Sequence, residues 1–222
     1  MPPRKPAALF DFDKTLLCGE SMSMFIRFAT RRFPRALLEL PRLGLWMGPY
    51  AAKATTKEKM KTRVFRILRH VPEEKRPVLV EEFVEEVLRP RLFPEGQKVV
   101  EDHRRQGHTL VLASASCDVY MEAVRGLLDF DLQVSTRTQP TGPDRAPAVI
   151  GANCYGEEKV RRLCELDFFE NTDWAASYAY SDHPSDLPML LLCGHPVAAN
   201  PNRALRKMAQ DAGWEIADWA AA

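Results

Sequence analysis

Two aspartates, one residue apart, follow the first apolar run of the chain, Ala7-Ala8-Leu9-Phe10. Carboxylates held this close repel each other, and one is pushed toward its neutral form unless a cation lies between them. Asp11 and Asp13 therefore suggest a metal site, a proton-transfer role, or both. A turn or a helix cap is the alternative interpretation, because Asp-x-Asp after an apolar run also occurs in those places.

Three further groups of chemically useful residues lie near predicted strand ends or helix starts. Ser114-Ala115-Ser116 follows an apolar run and offers hydroxyls and amides to an anion. Lys159 lies at the start of a predicted helix, whose positive end adds to its charge. Asp182 and Asp186 follow a third strand. Each group alone also fits a strand end, a solvated lysine or a helix cap, but the combination in this order favours a site.

The elements downstream of residue 93 predict how these groups come together. Strands are expected at 108–113, 132–135, 177–180 and 197–199, helices at 97–105, 119–128, 157–166, 185–193 and 202–212, and a loop or hairpin up to Pro147. This alternation is typical of a parallel sheet covered on both faces. The expected fold class is therefore α/β, a doubly wound parallel sheet. All of its strand ends would meet in one crevice.

The residues from about 18 to 92 have helical periodicity and no strand-like alternation. Helices are expected at 20–33, 56–70 and 73–88, with a strongly apolar segment at 36–52. Charges and prolines interrupt that segment, so it is too short and broken to span a bilayer, which needs about 20 apolar residues. We expect a helical cap domain at 18–92, inserted after the first strand of a core made of 1–17 and 93–222.

Composition narrows the class of protein. With 222 residues, 45% hydrophobic and 27% charged, the chain is typical of a soluble globular protein. The amino terminus has no cleavable apolar segment, which argues against a secretory signal. Five scattered cysteines without Cys-x-x-Cys spacing disfavour a disulfide scaffold or structural zinc. We therefore expect a cytoplasmic protein.

The net charge of +1 hides an asymmetry. Between Arg27 and Arg76 there are 14 Lys or Arg against 4 Asp or Glu, and the remainder carries a net charge of −9. A basic region beside apolar residues is typical of an element at a membrane interface. A broken apolar run in a helical insertion also packs readily on its neighbours, and on that basis we expect Trp46 to be buried.

The predicted crevice would contain carboxylates, one lysine, a hydroxyl and free amides. Oxygen ligands suit Mg²⁺, and Mg²⁺ together with a lysine and amides suits a phosphoryl group. At this point the sequence resembles the haloacid dehalogenase superfamily of phosphatases. Asp11-Phe12-Asp13-Lys14-Thr15 matches its first motif, Ser114 the second, Lys159 the third, and Asp182 with Asp186 the fourth. The place of the insertion is similar to that in subfamily IB, the phosphoserine-phosphatase-like branch.

The resemblance covers nearly the whole chain and implies a Mg²⁺-dependent phosphomonoesterase that works through an aspartyl-phosphate. Asp11 would attack phosphorus, and Asp13 would protonate the leaving oxygen and then activate water. Asp11, Asp182 and the main-chain carbonyl of Asp13 would bind Mg²⁺, with Asp186 positioning that metal shell. The residues implied in holding the phosphoryl group are Thr15, Ser114, Ala115 and Lys159. The implied partner is a small phosphorylated substrate, with no nucleic acid.

The substrate stays open at this stage. The place of Glu20, just after the first motif, resembles the position where phosphoserine phosphatases bind the substrate's ammonium. A helix-start acid favoured by the helix dipole is the alternative. The stretch from Met22 to Pro34 and the Leu-rich run after it are also similar to phosphatidylglycerophosphatase C, in which this segment works at a membrane. The alternatives are thus a phosphoserine phosphatase, a lipid phosphate phosphatase with peripheral membrane contact, and a phosphotransferase or non-catalytic phosphate-binding module.

The fourth motif departs from the pattern of many relatives. Ser181 replaces the usual glycine before Asp182, and His183 follows it where a small residue is usual. His183 is either a substrate contact or a bystander, and a bystander is the expectation.

Overall fold

Six parallel strands form the central sheet of the computed structural model, which describes residues 4–221. The strands in chain order are β1 (Ala7–Phe10), β2 (Thr109–Cys117), β3 (Leu132–Thr136), β4 (Thr138–Thr141), β5 (Ala146–Val149), β6 (Tyr178–Ser181), β7 (His195–Ala199) and β8 (Glu215–Ala217). The sheet order is β3-β2-β1-β6-β7-β8, while β4 and β5 form a separate antiparallel hairpin. The expected α/β fold class with a doubly wound parallel sheet is confirmed.

The strand order reverses on the two sides of β1. This strand pairs in parallel with β2 on one side and with β6 on the other. In an open α/β sheet, the crevice at such a reversal, beyond the carboxyl ends of the strands, is the usual ligand site. Asp11 and Asp182 follow directly after the two strands that flank this reversal.

Alternate residues of β1 pack into two cores, one on each face of the sheet. Phe10 joins one core and stacks on Tyr180 with ring centroids 4.5 Å apart. Leu9 points to the other face and joins Met189 and Leu205. Because neighbouring side chains of a strand point to opposite faces, a fully apolar strand is what a sheet with two covered faces requires.

Nine α-helices complete the described chain between residues 4 and 221: α1 (Ser21–Arg32), α2 (Leu40–Ala51), α3 (Lys57–Phe65), α4 (Arg76–Phe83), α5 (Pro94–Arg105), α6 (Asp118–Leu127), α7 (Glu157–Leu163), α8 (Leu187–Leu190) and α9 (Arg203–Ala212). Residues 18–92, the helical insertion, comprise α1 to α4 with short 3₁₀ and π turns and contain no strand. The ends of the insertion run side by side, since Leu17 pairs with Leu92 and the Cys18 amide donates to the Arg91 carbonyl over 2.8 Å.

The aromatic side chains of the insertion form its core. Phe25 lies 5.0 Å from Phe83 and 5.2 Å from Tyr120 of α6, measured between ring centroids. Phe65 and Phe28 pack around the same cluster. The insertion is therefore joined to the sheet layer by continuous hydrophobic packing.

The prediction that Trp46 is buried is wrong. No residue of α2 is buried, Trp46 is 40% exposed and Leu45 is 77% exposed. The aromatic cluster already fills the core of the insertion, so α2 is left on its outer side. The Trp46 ring instead packs against the Arg63 guanidinium, whose Cζ lies 3.5 Å from the ring centroid. Within residues 4–221 no helix has the length and apolar character needed to cross a bilayer.

The hairpin of β4 and β5 contacts the helical insertion. The Val149 amide donates to the Thr62 hydroxyl over 2.9 Å, and the Arg76 guanidinium donates to the carbonyls of Asp144 and Arg145 over 2.6 and 2.7 Å. The insertion is thus fixed both at its chain ends and along this hairpin.

Several boundaries differ from those expected. β2 continues to Cys117 rather than ending at Ala113, and its pairing with β3 shifts register after Ala113. The helices expected at 157–166 and 185–193 are shorter, and β8 was not predicted. β8 has only three residues at the edge of the sheet, which is too short for a periodic signal.

Candidate functional site

The carboxyl ends of β1, β2 and β6 enclose a cavity of about 260 Å³. Of the residues predicted for the site, it is lined by Asp11, Asp13, Glu20, Ser114, Ala115, Lys159, Asp182 and Asp186. These residues come from distant parts of the chain and meet because parallel strands place their carboxyl ends at one edge. The site residues therefore lie together, and Thr15, which does not line the cavity, contacts two of them.

Lys159 joins two of the aspartates inside the protein. Its Nζ lies 2.6 Å from Asp11 Oδ1 and 2.8 Å from Asp186 Oδ2, and the residue is 1% exposed. Lys159 belongs to the first turn of α7, which follows Gly156 with φ of +62°. Burial acts to lower the pKa of Lys159, but the two carboxylates raise it above its usual range. Lys159 is therefore a fixed positive charge in the cavity.

Negative charge exceeds positive charge around this lysine. Burial raises the pKa of Asp11 to about 7, opposed by Lys159 and assisted by Asp186 and Asp182. Burial, and next the charge of Asp186, raises the pKa of Asp182 to about 6. Asp186 Oδ1 is buried, and no group within residues 4–221 forms a hydrogen bond with it. Three carboxylates around one ammonium are an arrangement that a bound divalent cation would stabilise.

The donor set suits a hard cation with few protein ligands. In the part of the chain that the structure describes, no three His, Cys, Asp or Glu side chains are grouped to hold a metal. The predicted set has two such side chains, those of Asp11 and Asp182, and adds the main-chain oxygen of Asp13. Mg²⁺ commonly binds through one or two carboxylates and keeps several waters, so this set fits it.

Asp13 has different partners from Asp11. Its Oδ1 accepts the Ser21 amide over 2.6 Å, and its Oδ2 accepts the Ser116 hydroxyl over 2.8 Å. Burial raises the pKa of Asp13, while these hydrogen bonds act to lower it. Two neighbouring aspartates in such different environments are suited to different tasks, one paired with a cation and one exchanging a proton.

The Thr15 hydroxyl lies inside the protein and forms hydrogen bonds with Asp11 and Asp182. The hydroxyl donates to Asp11 Oδ2 over 3.1 Å and accepts the Asp182 amide over 3.1 Å, and the residue is fully buried. The implied role of Thr15 in phosphate binding stays a prediction, and in this geometry the one hydrogen of its hydroxyl is given to Asp11. Thr15 links the end of β1 to the residue after β6.

Ser114 and Ala115 line the cavity on the β2 side. The Ser114 hydroxyl accepts the Ser116 amide over 3.0 Å, and the Ala115 carbonyl accepts the Thr136 hydroxyl over 2.6 Å. The Lys61 ammonium from α3 also contacts the Ala115 carbonyl, as well as Asn153 Oδ1. Lys61 therefore connects the helical insertion to the β2 side of the cavity.

The unusual residues of the fourth motif have structural partners. The Ser181 hydroxyl donates to Asp186 Oδ2 over 2.7 Å, which fixes that carboxylate beside Lys159. His183 is exposed at the rim, and its Nδ1 accepts the Ser185 amide over 3.1 Å. This bond gives His183 a role in the turn, which is in keeping with the expectation of a bystander.

Glu20 lies at the rim beside Lys14. Their Oε1 and Nζ atoms are 2.5 Å apart, and both side chains are more than half exposed. A substrate ammonium would have to displace or share this lysine. Glu20 lines the cavity, and its carboxylate already has a cation, so its contact with a substrate ammonium stays a prediction.

A second, larger cavity of about 490 Å³ opens from the first. The two share Asp13, Glu20, Ala115 and Tyr155. Most of its other lining side chains are apolar or aromatic and come from the insertion: Met22, Ile26, Leu43, Met47, Tyr50, Met60 and Val64. Asp13 therefore borders both cavities.

Sequence reasoning did not assign roles to Ser21, Ser116 and Tyr155. Ser116 and Asp13 are 103 positions apart, and nothing in local spacing predicts that a particular hydroxyl reaches a particular carboxylate. In the sequence, Ser116 is only one of three small residues after a predicted strand.

The assembled groups can transfer a phosphoryl group. A buried carboxylate beside a fixed ammonium can attack phosphorus, a second carboxylate can exchange a proton with the leaving oxygen, and further carboxylates suit a metal.

Comparisons with known proteins agree with this chemistry. Residues 8–191 match the model of the haloacid dehalogenase-like hydrolase family. A "probable phosphatase" of Mycobacterium tuberculosis is 28% identical over 97% of this chain and 76% of its own. The phosphoserine phosphatase SerB1 of the same organism is 26% identical over 96% of this chain and 70% of its own.

A solved structure is also similar over its full length. A Bordetella pertussis Tohama I protein of unknown function is 26% identical, with a TM-score of 0.84, covering 97% of this chain and 99% of that one. The family match spans the first, second, third and fourth motifs, and the resemblance found from the sequence is confirmed. The chain belongs to the haloacid dehalogenase-like hydrolase family.

Proposed function

We propose that this protein is a Mg²⁺-dependent phosphomonoesterase that works through an aspartyl-phosphate on Asp11. The observation that carries the proposal is the 2.6 Å contact of Lys159 Nζ with Asp11 Oδ1, beside an Asp13 with separate hydrogen-bond partners. The names of the two Mycobacterium relatives support the phosphatase class.

Each residue has a defined part in the reaction. Asp11 forms a bond to phosphorus as the bond to the leaving oxygen breaks, and Asp13 gives that oxygen a proton. Asp13 then takes a proton from the water that cleaves the aspartyl-phosphate. Lys159 holds the phosphoryl oxygens together with Ser114 and the Ala115 amide. Mg²⁺ at Asp11, Asp182 and the Asp13 carbonyl would neutralise phosphoryl charge.

A coupled assay tests this proposal against the two other activities of such a site. Phosphate release is measured in the presence and absence of a sugar acceptor, and transferred phosphate is measured separately. We expect free phosphate to equal the ester consumed. Transfer to the acceptor would indicate a phosphotransferase, and binding without turnover would indicate a phosphate-binding module.

We further propose the organisation that the sequence suggested. Residues 18–92 form a cap domain over a core of 1–17 and 93–222, and the protein works in the cytoplasm on a small phosphorylated substrate without nucleic acid. Limited proteolysis tests the cap, since cleavage should occur within 18–92 before the core is cut.

Phosphoserine is one substrate candidate, supported by the name of the SerB1 relative and the position of Glu20. Its ammonium would compete with Lys14 for the Glu20 carboxylate. The serine that leaves from it is small and charged, and would also leave most of the 490 Å³ cavity unfilled.

A lipid phosphate at a membrane surface is the second candidate. It is favoured by that apolar cavity, whose wall includes Leu43, Met47 and Tyr50 of α2, and by the exposed Leu45 and Trp46 on the same helix. Turnover of phosphoserine and of a lysophosphatidate in detergent micelles separates the two candidates. A higher kcat/KM for the lipid supports the second candidate, and a higher value for phosphoserine supports the first.

A further inference from the structure

A chain of three hydroxyls ends on the Asp13 carboxylate. Tyr120 Oη lies 2.9 Å from Ser21 Oγ, Ser21 Oγ lies 3.0 Å from Ser116 Oγ, and Ser116 Oγ lies 2.8 Å from Asp13 Oδ2. Tyr120, Ser21 and Ser116 are all buried. The chain runs from the aromatic cluster of the insertion to the site, and the proposed mechanism has no use for it so far.

Counting hydrogens fixes the direction of this chain. Each hydroxyl has one hydrogen, and Ser116 gives its hydrogen to Asp13 Oδ2, which can only accept while Asp13 is ionised. Ser21 must then donate to Ser116, and Tyr120 must donate to Ser21. Hydrogen bonds ordered in one direction polarise one another, which strengthens the last bond to the carboxylate.

The second oxygen of Asp13 is held from the same side. The Ser21 amide, at the first position of α1, donates to Asp13 Oδ1 over 2.6 Å. The positive end of this helix favours a carboxylate there. Both oxygens are therefore fixed, and rotation of the carboxyl group would break two hydrogen bonds. A protonated Asp13 keeps acceptor capacity on both oxygens, so the same two hydrogen bonds can hold it while its own hydrogen faces the leaving oxygen. Tyr120, packed between Phe25 and Phe83, anchors the far end.

We propose that Ser116 is a positioning residue, which, with Ser21 and Tyr120 behind it, aims Asp13 at the leaving oxygen at the boundary between the two cavities. The inference rests on the proposed function. In the first step, the Asp11 oxygen bonds to phosphorus, the bond from phosphorus to the leaving oxygen breaks, and the Asp13 proton moves to that oxygen. A misdirected Asp13 would slow this step only where the leaving group needs the proton.

Two esters with different leaving groups test the proposal. Glycerol 2-phosphate releases an alkoxide that must be protonated, whereas p-nitrophenyl phosphate releases a stable anion. The ratio kcat/KM reports on steps up to the first irreversible one, and so isolates the transfer to Asp11. For Ser116→Ala we expect a loss of about 10- to 100-fold with glycerol 2-phosphate. With p-nitrophenyl phosphate the change should stay within about threefold.

Two more variants complete the test. Tyr120→Phe should show the same selectivity but a smaller loss, because Ser21 can still donate to Ser116. Ser177→Ala is the matched control, since this buried serine accepts the Ala7 amide over 2.9 Å at the other end of β1. Any loss it causes should be equal for the two esters.

Equal losses on both esters in Ser116→Ala, or no loss on either, would overturn the positioning role while leaving the phosphatase intact. A wild-type protein that releases phosphate from neither ester, nor from phosphoserine or lysophosphatidate, would overturn the proposed function itself. Circular dichroism and thermal melting of each variant separate misfolding from misdirected chemistry, and Tyr120→Phe keeps the ring packing if Ser116→Ala fails to fold.

Discussion

Lys159 and Asp11 are separated by 148 positions, yet their Nζ and Oδ1 atoms lie 2.6 Å apart inside the protein. The lysine also binds Asp186, so its loss would leave buried carboxylates without a cation. Breaking a buried ion pair from one side costs more than the pair contributes, because the remaining charge stays buried.

Replacing Lys159 should therefore reduce stability as well as activity. We expect Lys159→Met to lower the free energy of unfolding by about 3 kcal/mol without Mg²⁺. A second change, Asp186→Asn, should restore about 1 kcal/mol of that loss. Urea unfolding of the wild type, the two single variants and the double variant gives the interaction free energy between Lys159 and Asp186. Strictly additive effects would show that the pair does not act as a unit.

Asp11→Asn should abolish turnover and keep the fold, because the neutral amide has nearly the same shape but is a poor nucleophile. Beryllofluoride, a phosphate mimic that binds a free aspartate, should bind the wild type and not the variant, as seen by ¹⁹F NMR. Substantial activity in folded Asp11→Asn protein would exclude Asp11 as the nucleophile. Asp173→Asn, on the loop before β6, is a control that should keep both activity and binding.

Mg²⁺ should bind before any substrate is present. Bound metal neutralises the carboxylates around Lys159, so 5–10 mM Mg²⁺, on the order of a hundred times a typical Kd, should raise the melting temperature by several degrees. Asp182→Ala should remove this shift, and Asp186→Ala should weaken it.

Catalytic activity should depend on Mg²⁺ in the same way as the melting temperature does: Asp182→Ala should abolish it and Asp186→Ala should reduce it. Excess Ca²⁺ should inhibit, since its larger and more flexible shell would loosen the in-line geometry. Full activity after exhaustive chelation would contradict a metal requirement.

Acid should destabilise the protein through His103. This histidine is 4% exposed and contacts Tyr180 Oη over 2.8 Å and His108 Nδ1 over 2.7 Å. Burial, with a smaller contribution from His108, lowers the pKa of His103 to about 4. An unfolded histidine takes up its proton near pH 6.5, so stability falls as pH drops from about 6.5 to about 4. The total loss is about 3 kcal/mol.

Urea unfolding across that pH range checks this expectation. His103→Gln keeps a hydrogen-bonding side chain but cannot titrate, so its stability should fall less steeply. His195→Gln, at the exposed start of β7, should behave as the wild type. Parallel curves for the wild type and His103→Gln would contradict the prediction.

The exposed face of α2 should bind anionic membranes. Each Lys or Arg near such a surface contributes about 1 kcal/mol, and Leu45 and Trp46 add apolar contact. We expect the protein to sediment with vesicles of anionic lipid and to be released at about 1 M salt, where charges are screened within about 3 Å.

Trp46→Glu should abolish sedimentation with little change in the unfolding midpoint, because the ring is already 40% exposed. Leu191→Glu, at a residue 67% exposed on the core, is the matched control and should still sediment. Wild-type protein that stays in the supernatant would rule out the membrane contact.

The sequence was most informative where chemistry and periodicity coincide. Asp11, Lys159 and Asp182 follow or begin regular elements, so strand order alone brought them to one crevice. The sequence was less informative for side-chain contacts that depend on how helices and strands pack against one another. The Ser116 bond to Asp13, the engaged hydroxyl of Thr15 and the exposed ring of Trp46 depend on distances between elements, and no local pattern encodes these distances.

The entry and exit of the helical insertion lie side by side, so another insert could in principle be joined to the sheet at this single point. The hairpin of β4 and β5 changes that expectation, since Thr62 and Arg76 of the insertion bond to its main chain. A transplanted insertion would lose these contacts unless the hairpin came with it. Two segments distant in sequence should therefore have changed together as substrates diverged, and chimeras that exchange both should fold better than chimeras that exchange one.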